Sequence, residues 1–98
     1  MPALTAGVIA LTAAAAHAST LVVYQGPGYS GHSIAITKCG VSNIPAGYHG
    51  SYKWYATGQS GRMYNRPNAE GVAHFTLSAN RNAEQATGFG WKSIFTVC

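Results

Sequence analysis

The side chains that could carry out acid–base chemistry are too few for a hydrolase. Glu70 and Glu84 are the only side-chain carboxylates among the 98 residues, and no aspartate occurs. Glycoside hydrolysis normally needs two facing carboxylates, and a Ser-His-Asp triad has no aspartate here to complete it. The composition therefore predicts a protein that is not an enzyme.

The histidines and glycines show no spacing that is typical of a metal or phosphate site. His32, His49 and His74 are too far apart in the sequence to form a short zinc-ligand pair. Gly26-Pro27-Gly28 indicates a turn, because no Gly-Lys-Ser/Thr follows at the spacing of a phosphate-binding loop. We predict no cofactor and no metal.

A cluster of aromatic residues around Lys53 is the strongest indication of a binding surface. Strand alternation places Tyr52 and Trp54 on one face and Lys53 and Tyr55 on the other. One face must be core, so two interpretations stay open: every ring is structural, or Tyr55 and Lys53 meet a ligand. Together with four further cations, the candidate surface residues are Lys53, Tyr55, Arg62, Arg66, Arg81 and Lys92.

The charge balance is one-sided although charges are sparse. Six Lys and Arg residues against two Glu give a formal net charge of +4. A compact cationic protein is attracted to anionic surfaces such as phospholipid headgroups or phosphorylated wall polymers. The charge therefore bears on partners and solubility, not on the fold.

Residues 1–18 are typical of a secretory signal peptide. The segment 2–18 has no charged side chain, is rich in alanine, and ends in Ala16-His17-Ala18, a small-x-small cleavage pattern. It is too short to span a bilayer and keep flanks of its own. An alanine-rich N-terminal helix is the alternative, since the segment lacks an early Lys or Arg. We predict cleavage before Ser19 and an extracellular, secreted mature chain.

The mature chain, residues 19–98, has the length of one small domain and contains two cysteines, Cys39 and Cys98. An even number of cysteines in a secreted chain indicates a disulfide, and two free thiols are the alternative. Because a domain of this size buries a limited share of its surface, a covalent link would add needed stability. We predict a Cys39–Cys98 bridge that holds the C-terminus.

An internal repeat divides the mature chain into halves of about 19–58 and 59–98. The segment 24–31 recurs as 64–71, with tyrosine, proline and glycine matching at each copy. Chance similarity between two turns is the alternative. Each copy predicts a strand, a tight turn and a glycine at positive φ, with the tyrosine ring over the turn. The motif residues are Tyr24, Tyr29, Gly31, Tyr64 and Gly71, and Ala69 stands where the second copy would have an aromatic.

Short segments of alternating polarity flank both copies. We expect strands at 21–24, 34–37, 51–57, 72–77 and 92–98, and a helical turn or loop at 79–86. Trp91, within Phe89-Gly90-Trp91, is expected in the core rather than at a contact surface. The pattern predicts an all-β fold in which two Greek-key motifs form a sandwich similar to the βγ-crystallins.

The mature sequence resembles the macadamia-type plant antimicrobial proteins. The matching segments are collinear: Gly26-Pro27-Gly28, Lys38-Cys39-Gly40, Thr57-Gly58-Gln59, Tyr64-Asn65, Gly71-Val72-Ala73-His74, Phe89-Gly90-Trp91-Lys92-Ser93-Ile94-Phe95 and Cys98. The resemblance implies a crystallin-like fold and antifungal activity. It also implies a three-disulfide scaffold, from which this chain departs by having Tyr29, Val41, approximately Ala69, and a residue near Ala83 in place of cysteines.

These features predict a monomeric defence protein that binds microbial surfaces through basic and aromatic residues. The expected partners are fungal or bacterial wall polysaccharide, with β-1,3-glucan as one candidate, or an anionic membrane surface, and not nucleic acid. Two alternatives stay open. One is a secreted inhibitor of microbial proteases, which would use an exposed loop such as 79–87, and the other is a structural crystallin-like protein.

Overall fold

The computed structural model describes residues 18–98, so the predicted signal peptide lies outside the described residues except for Ala18. Within this range the elements are β1 (Thr20–Gly26), β2 (Ser30–Ile36), β3 (Gly40–Asn43), β4 (Ser51–Tyr55), β5 (Gly61–Tyr64), a 3₁₀ turn η1 (Pro67–Ala69), β6 (Phe75–Leu77), β7 (Ala83–Gln85) and β8 (Ser93–Thr96). No α-helix occurs between residues 18 and 98, and this part of the chain holds no helix long and apolar enough to cross a membrane.

The strands form two four-stranded antiparallel sheets. The first sheet has the order β2-β1-β4-β7 and the second has the order β3-β8-β5-β6. Each half of the chain therefore places three strands in one sheet and sends its third strand, β3 or β7, into the other. This exchange is the Greek-key arrangement, and the predicted all-β sandwich of two such motifs is confirmed.

The strand ends differ from the sequence-based expectation. The strands expected at 51–57, 72–77 and 92–98 extend over Ser51–Tyr55, Phe75–Leu77 and Ser93–Thr96. The helical turn or loop expected at 79–86 is wrong in part, because β7 lies within it and pairs with β4 through Tyr52↔Gln85 and Trp54↔Ala83. Its Ala-Glu-Gln sequence has no β-branched residue, so tertiary pairing rather than local preference makes it a strand.

The core lies between the sheets and is formed by inward side chains of six strands, β1, β2, β4, β5, β6 and β8, together with Ile44 just after β3. Its buried residues are Leu21, Val23, Ile36, Ile44, Tyr52, Trp54, Met63, Leu77 and Ile94. Trp54 has no exposed surface, and its Nε1 donates a hydrogen bond to the carbonyl oxygen of Ser78 at 2.8 Å. The indole therefore fills the centre with its one polar atom satisfied.

The two copies of the repeat have the same backbone geometry. Gly31 and Gly71 have φ of 78° and 83°, a left-handed conformation that glycine adopts without strain. In the first copy the Tyr24 and Tyr29 rings meet edge to face, with centroids 5.6 Å apart. The positive φ expected of both glycines is confirmed, and the pairing of rings is limited to the copy that has Tyr29.

A buried serine secures each turn, and sequence reasoning had not identified it. Ser51 Oγ donates to the Gly26 carbonyl at 2.7 Å and accepts from the Tyr29 N–H at 2.9 Å. Ser93 Oγ makes the equivalent bonds to the Arg66 carbonyl and the Ala69 N–H, at 2.6 and 2.9 Å. The repeat therefore extends to the hydrogen bonds that hold each turn on its sheet.

Both cysteines form the predicted bridge. Cys39 and Cys98 are linked across a sequence separation of 59, with Cα atoms 5.8 Å apart. The link joins the residue before β3 to the end of the chain beyond β8, and these two strands are neighbours in the second sheet. It holds the C-terminus against the edge of that sheet.

Candidate functional site

The aromatic cluster around Lys53 divides between the two faces of β4. Tyr52 and Trp54 are 3% and 0% exposed, so the structural interpretation is right for these two rings. Tyr55 is 42% exposed on the opposite face, and Lys53 is half-buried beside it. Lys53 and Tyr55 are therefore the part of this cluster that a ligand could contact.

A shallow groove runs along the junction of β4 and β7. It has a volume of about 310 Å³ and is lined by Lys53, Trp54, Tyr55, Asn82, Ala83 and Glu84. Asn82 is held in place because its Oδ1 accepts a hydrogen bond from the Ala56 N–H at 2.8 Å. An exposed phenol ring, an ammonium group, an amide and a carboxylate thus share one open surface.

The charges in this groove nearly offset each other. Lys53 and Glu84 are directly opposite in the register of β4 and β7, where opposite charges attract weakly. Lys53 Nζ also lies 4.5 Å from the centroid of the Tyr29 ring, a favourable cation–π distance. Because Lys53 has an acid opposite it on β7 and a ring beside its ammonium group, the groove suits a neutral, hydroxyl-rich ligand better than an anion.

Sequence reasoning identified Lys53 and Tyr55 but missed Asn82 and Glu84. These two residues reach the groove only because β7 pairs with β4. The sequence did hold one clue to Glu84, because acidic residues are rare and it is one of two in the chain. Arg81 is exposed in the loop that leads into β7, so it is next to Asn82 at this end of the groove.

The remaining predicted cations lie elsewhere. Arg62 is on the second sheet, opposite Phe95 and Thr76 in register, and the outer faces of the two sheets point in opposite directions. Arg66 forms an exposed ion pair with Glu70, with Nε and Oε1 3.8 Å apart, a contact of little energetic weight. The structure therefore does not gather Arg62, Arg66 and Lys92 with the groove residues.

A chain of aromatic contacts runs from the core to the surface on another side of the molecule. Tyr52, Phe89 and Trp91 have ring centroids 5.4 to 5.8 Å apart, and Trp91 stacks on Phe75 at 5.2 Å with an interplanar angle of 20°. Phe89 and Trp91 pack against the core, as expected for Trp91, but both are only half-buried. Phe75 remains 45% exposed, so the outer end of this series of aromatic contacts is open to solvent.

Two tyrosines have pKa values raised by their surroundings. Burial raises the pKa of Tyr52 above its usual 10.0, and the neighbouring Tyr29 raises it further. The pKa of Tyr29 is also raised, first by burial and then by the Glu84 carboxylate, while Lys53 acts in the opposite direction. Both phenols therefore stay protonated more readily in the folded protein than in the unfolded chain.

Stability is expected to fall above about pH 10 because of Tyr52. A raised folded-state pKa gives a contribution that is complete below the unfolded-state value and is lost as the pH rises through the folded-state value. The urea concentration at the unfolding midpoint should therefore be lower when measured about one pH unit above the ordinary tyrosine pKa of 10.0 than when measured about one unit below it. Tyr52→Phe should show a smaller fall, and equal falls in both proteins would contradict this assignment.

The part of the chain that the structure describes has no evident metal centre. Within residues 18–98 no three or more His, Cys, Asp or Glu side chains converge in a way that could hold an ion.

The fold and sequence both match known proteins. The MiAMP1 family model matches residues 19–98. The chain is 40% identical over 81 residues to antimicrobial peptide 1 of Pinus monticola, and the aligned segment covers 83% of this chain and 76% of that protein. It is 36% identical over 90 residues to antimicrobial peptide 1 of Macadamia integrifolia, and this alignment covers 92% of this chain and 84% of that protein.

A solved structure shows the same architecture. The solution structure of MiAMP1, a plant antimicrobial protein, matches with a TM-score of 0.71 and 37% sequence identity, over 81% of this chain and 99% of that chain. The match confirms the predicted crystallin-like sandwich. It also confirms the family resemblance seen in the sequence.

Proposed function

Because the chain belongs to the MiAMP1 family, we propose that it is a secreted antimicrobial protein that acts against fungi as a monomer and without catalysis. The observation that carries the proposal is the match of residues 19–98 to that family, together with relatives named antimicrobial peptide 1. Secretion is further supported by the signal-peptide pattern of residues 1–18 and by a disulfide of the kind that oxidising compartments favour.

The proposed contact with the microbe is wall polysaccharide, with β-1,3-glucan as the first candidate, bound in the groove beside Tyr55. An exposed aromatic ring offers a flat apolar surface to the ring face of a sugar, and Asn82, Glu84 and Lys53 offer donors and acceptors to its hydroxyl groups. The near balance of the Lys53 and Glu84 charges supports a neutral glycan over a phosphate at this position.

The other candidate functions lack such support. A protease inhibitor would need an exposed loop, for which 79–87 is the candidate, but residues 83–85 of that segment are paired as β7. The unpaired stretch before β7 is correspondingly short. No feature of the described residues favours protease inhibition or a purely structural role, so neither is proposed.

Tyr55→Ala is expected to weaken both glucan binding and growth inhibition by about tenfold, the equivalent of about 1.4 kcal/mol. Purified residues 19–98 would be tested for inhibition of hyphal growth in low salt and for co-sedimentation with insoluble β-1,3-glucan. Tyr55→Phe keeps the ring and should retain most of both activities.

Thr76→Ala provides the matched control, because Thr76 is exposed on the second sheet. It should leave both activities unchanged. Absence of growth inhibition by the wild-type protein at tens of micromolar would refute the antimicrobial proposal. Inhibition that is retained in Tyr55→Ala would refute only the assignment of the groove.

A further inference from the structure

The aromatic chain ends in an exposed apolar surface, here called the apolar edge and formed by Val72, Phe75 and Trp91. Val72 is 78% exposed and Phe75 is 45% exposed, while Trp91 is half-buried behind Phe75. Val72 lies three residues before Phe75 in the segment that leads into β6, and two large apolar side chains exposed this close in the chain indicate a contact surface. This surface lies on a different part of the molecule from the groove beside Tyr55.

The exposure of Phe75 follows from the order of the strands. Phe75 is opposite Met63 in register, and Met63 is fully buried, so Phe75 belongs to the inward row of its sheet. β6 is the edge strand of that sheet, and no strand lies beyond it to cover the ring. One face of Phe75 instead stacks on Trp91, which fixes its position without burying it.

Two cationic residues, Arg66 and Lys92, lie close in the structure or in the chain to residues of the apolar edge. A Cβ atom on Gly71 would lie 3.7 Å from Arg66 Cδ, so the stem of Arg66 runs beside the residue preceding Val72. Lys92 follows Trp91 and is exposed. Glu70 is paired with Arg66, and the only other acid, Glu84, lies on β7 in the first sheet. The net charge around the edge is therefore positive.

We propose that the apolar edge docks into the headgroup region of an anionic phospholipid bilayer. Val72 and Phe75 enter the boundary between headgroups and acyl chains, and Arg66 and Lys92 contact lipid phosphates. Apolar residues flanked by cations are the combination that binds anionic bilayer interfaces. A sugar is disfavoured here because one face of Phe75 is occupied by Trp91 and because an aliphatic tip such as Val72 offers no hydrogen bond to a hydroxyl group.

This inference rests on the proposed antimicrobial function only for its biological setting, and vesicles test it without any microbe. The probe is unilamellar vesicles of equimolar phosphatidylglycerol and phosphatidylcholine, with pure phosphatidylcholine vesicles for comparison. Of the two tryptophans, Trp54 is fully buried, so a change in emission reports Trp91. Binding to anionic vesicles in low salt should shift the emission to shorter wavelength, and high salt or pure phosphatidylcholine should weaken it.

Val72→Asp should lower the partition coefficient for anionic vesicles by about tenfold or more, since it replaces an apolar contact by a carboxylate facing anionic lipid. The matched control is Val41→Asp, which adds the same charge on β3 at the opposite edge of the same sheet, where Val41 is 36% exposed. That variant should stay within about twofold of the wild type, as the general loss of net charge alone predicts.

The proposal is overturned if the wild-type protein does not bind anionic vesicles, or if Val72→Asp and Val41→Asp behave alike. It is also overturned if Val72→Asp loses co-sedimentation with insoluble β-1,3-glucan while vesicle binding is unchanged, since the edge would then be a glycan surface. Growth inhibition without vesicle binding would remove this inference alone. Vesicle binding without growth inhibition would remove the antimicrobial function and leave the membrane contact standing.

Discussion

Replacing both Cys39 and Cys98 by serine is expected to lower the free energy of unfolding by about 4 kcal/mol. The bridge closes a loop with a sequence separation of 59, and the loss of chain entropy in the unfolded state grows with loop length. For a domain of this size such a loss should lower the melting temperature by about 20 °C. Urea and thermal unfolding of residues 19–98 followed by circular dichroism would measure both quantities.

The serine replacements isolate the effect of the cross-link, because Cys39 and Cys98 are both solvent-exposed and leave no core cavity. Chemical reduction of the wild-type protein should give the same loss of stability as the double variant. A loss of unfolding free energy smaller than about 1 kcal/mol would mean that the reduced chain is already restricted before it folds. That result would contradict the expected role of the bridge as the main restraint on the unfolded chain.

Gly50→Ala is expected to destabilise the protein by about 3 kcal/mol, a value at the upper end for overpacking. The Gly50 N–H donates to the Tyr24 carbonyl at 2.9 Å, which brings the start of β4 against the end of β1. An added Cβ atom would lie 2.5 Å from the carbonyl carbon of Gly26. Because the obstruction is backbone, β1 and β4 would have to separate, and urea unfolding would measure the cost.

Gly90→Ala is the matched control for Gly50→Ala. Gly90 does not have a positive φ, and a Cβ atom there would have no neighbour within 4 Å. This replacement should leave stability unchanged or raise it slightly by restricting the unfolded chain. Similar losses in both variants would show that glycine itself, rather than the close approach of β1 and β4, explains the effect.

The features that depend on local chemistry were predictable from the sequence. The repeated Tyr, Pro and Gly positions predicted two turns at Gly31 and Gly71, and both glycines have the expected positive φ. Alternation along 51–55 correctly separated buried Trp54 from exposed Tyr55. Turn residues and period-two patterns carry this information within a few positions of the chain.

The features that depend on distant partners were not predictable. Residues 83–85 have no strand preference of their own and become β7 through pairing with β4, so the contribution of Asn82 and Glu84 to the groove was invisible in the sequence. The exposure of Phe75 likewise depends on the position of β6 at a sheet edge. Alternation along 72–77 puts Phe75 on the same face as Leu77, which is buried, but it does not show that this face is uncovered at Phe75.

The exchange of β3 and β7 between the sheets has a consequence for how such a chain could have arisen. A single half, with one turn motif and four strands, would leave its own sheet one strand short and its third strand without a neighbour. Two identical halves would supply each other's missing strand in a symmetric dimer, by the same reciprocal exchange that occurs in domain swapping. The present architecture is what duplication and end-to-end fusion of such a self-complementing ancestor would produce, with residues 56–60 as the joint.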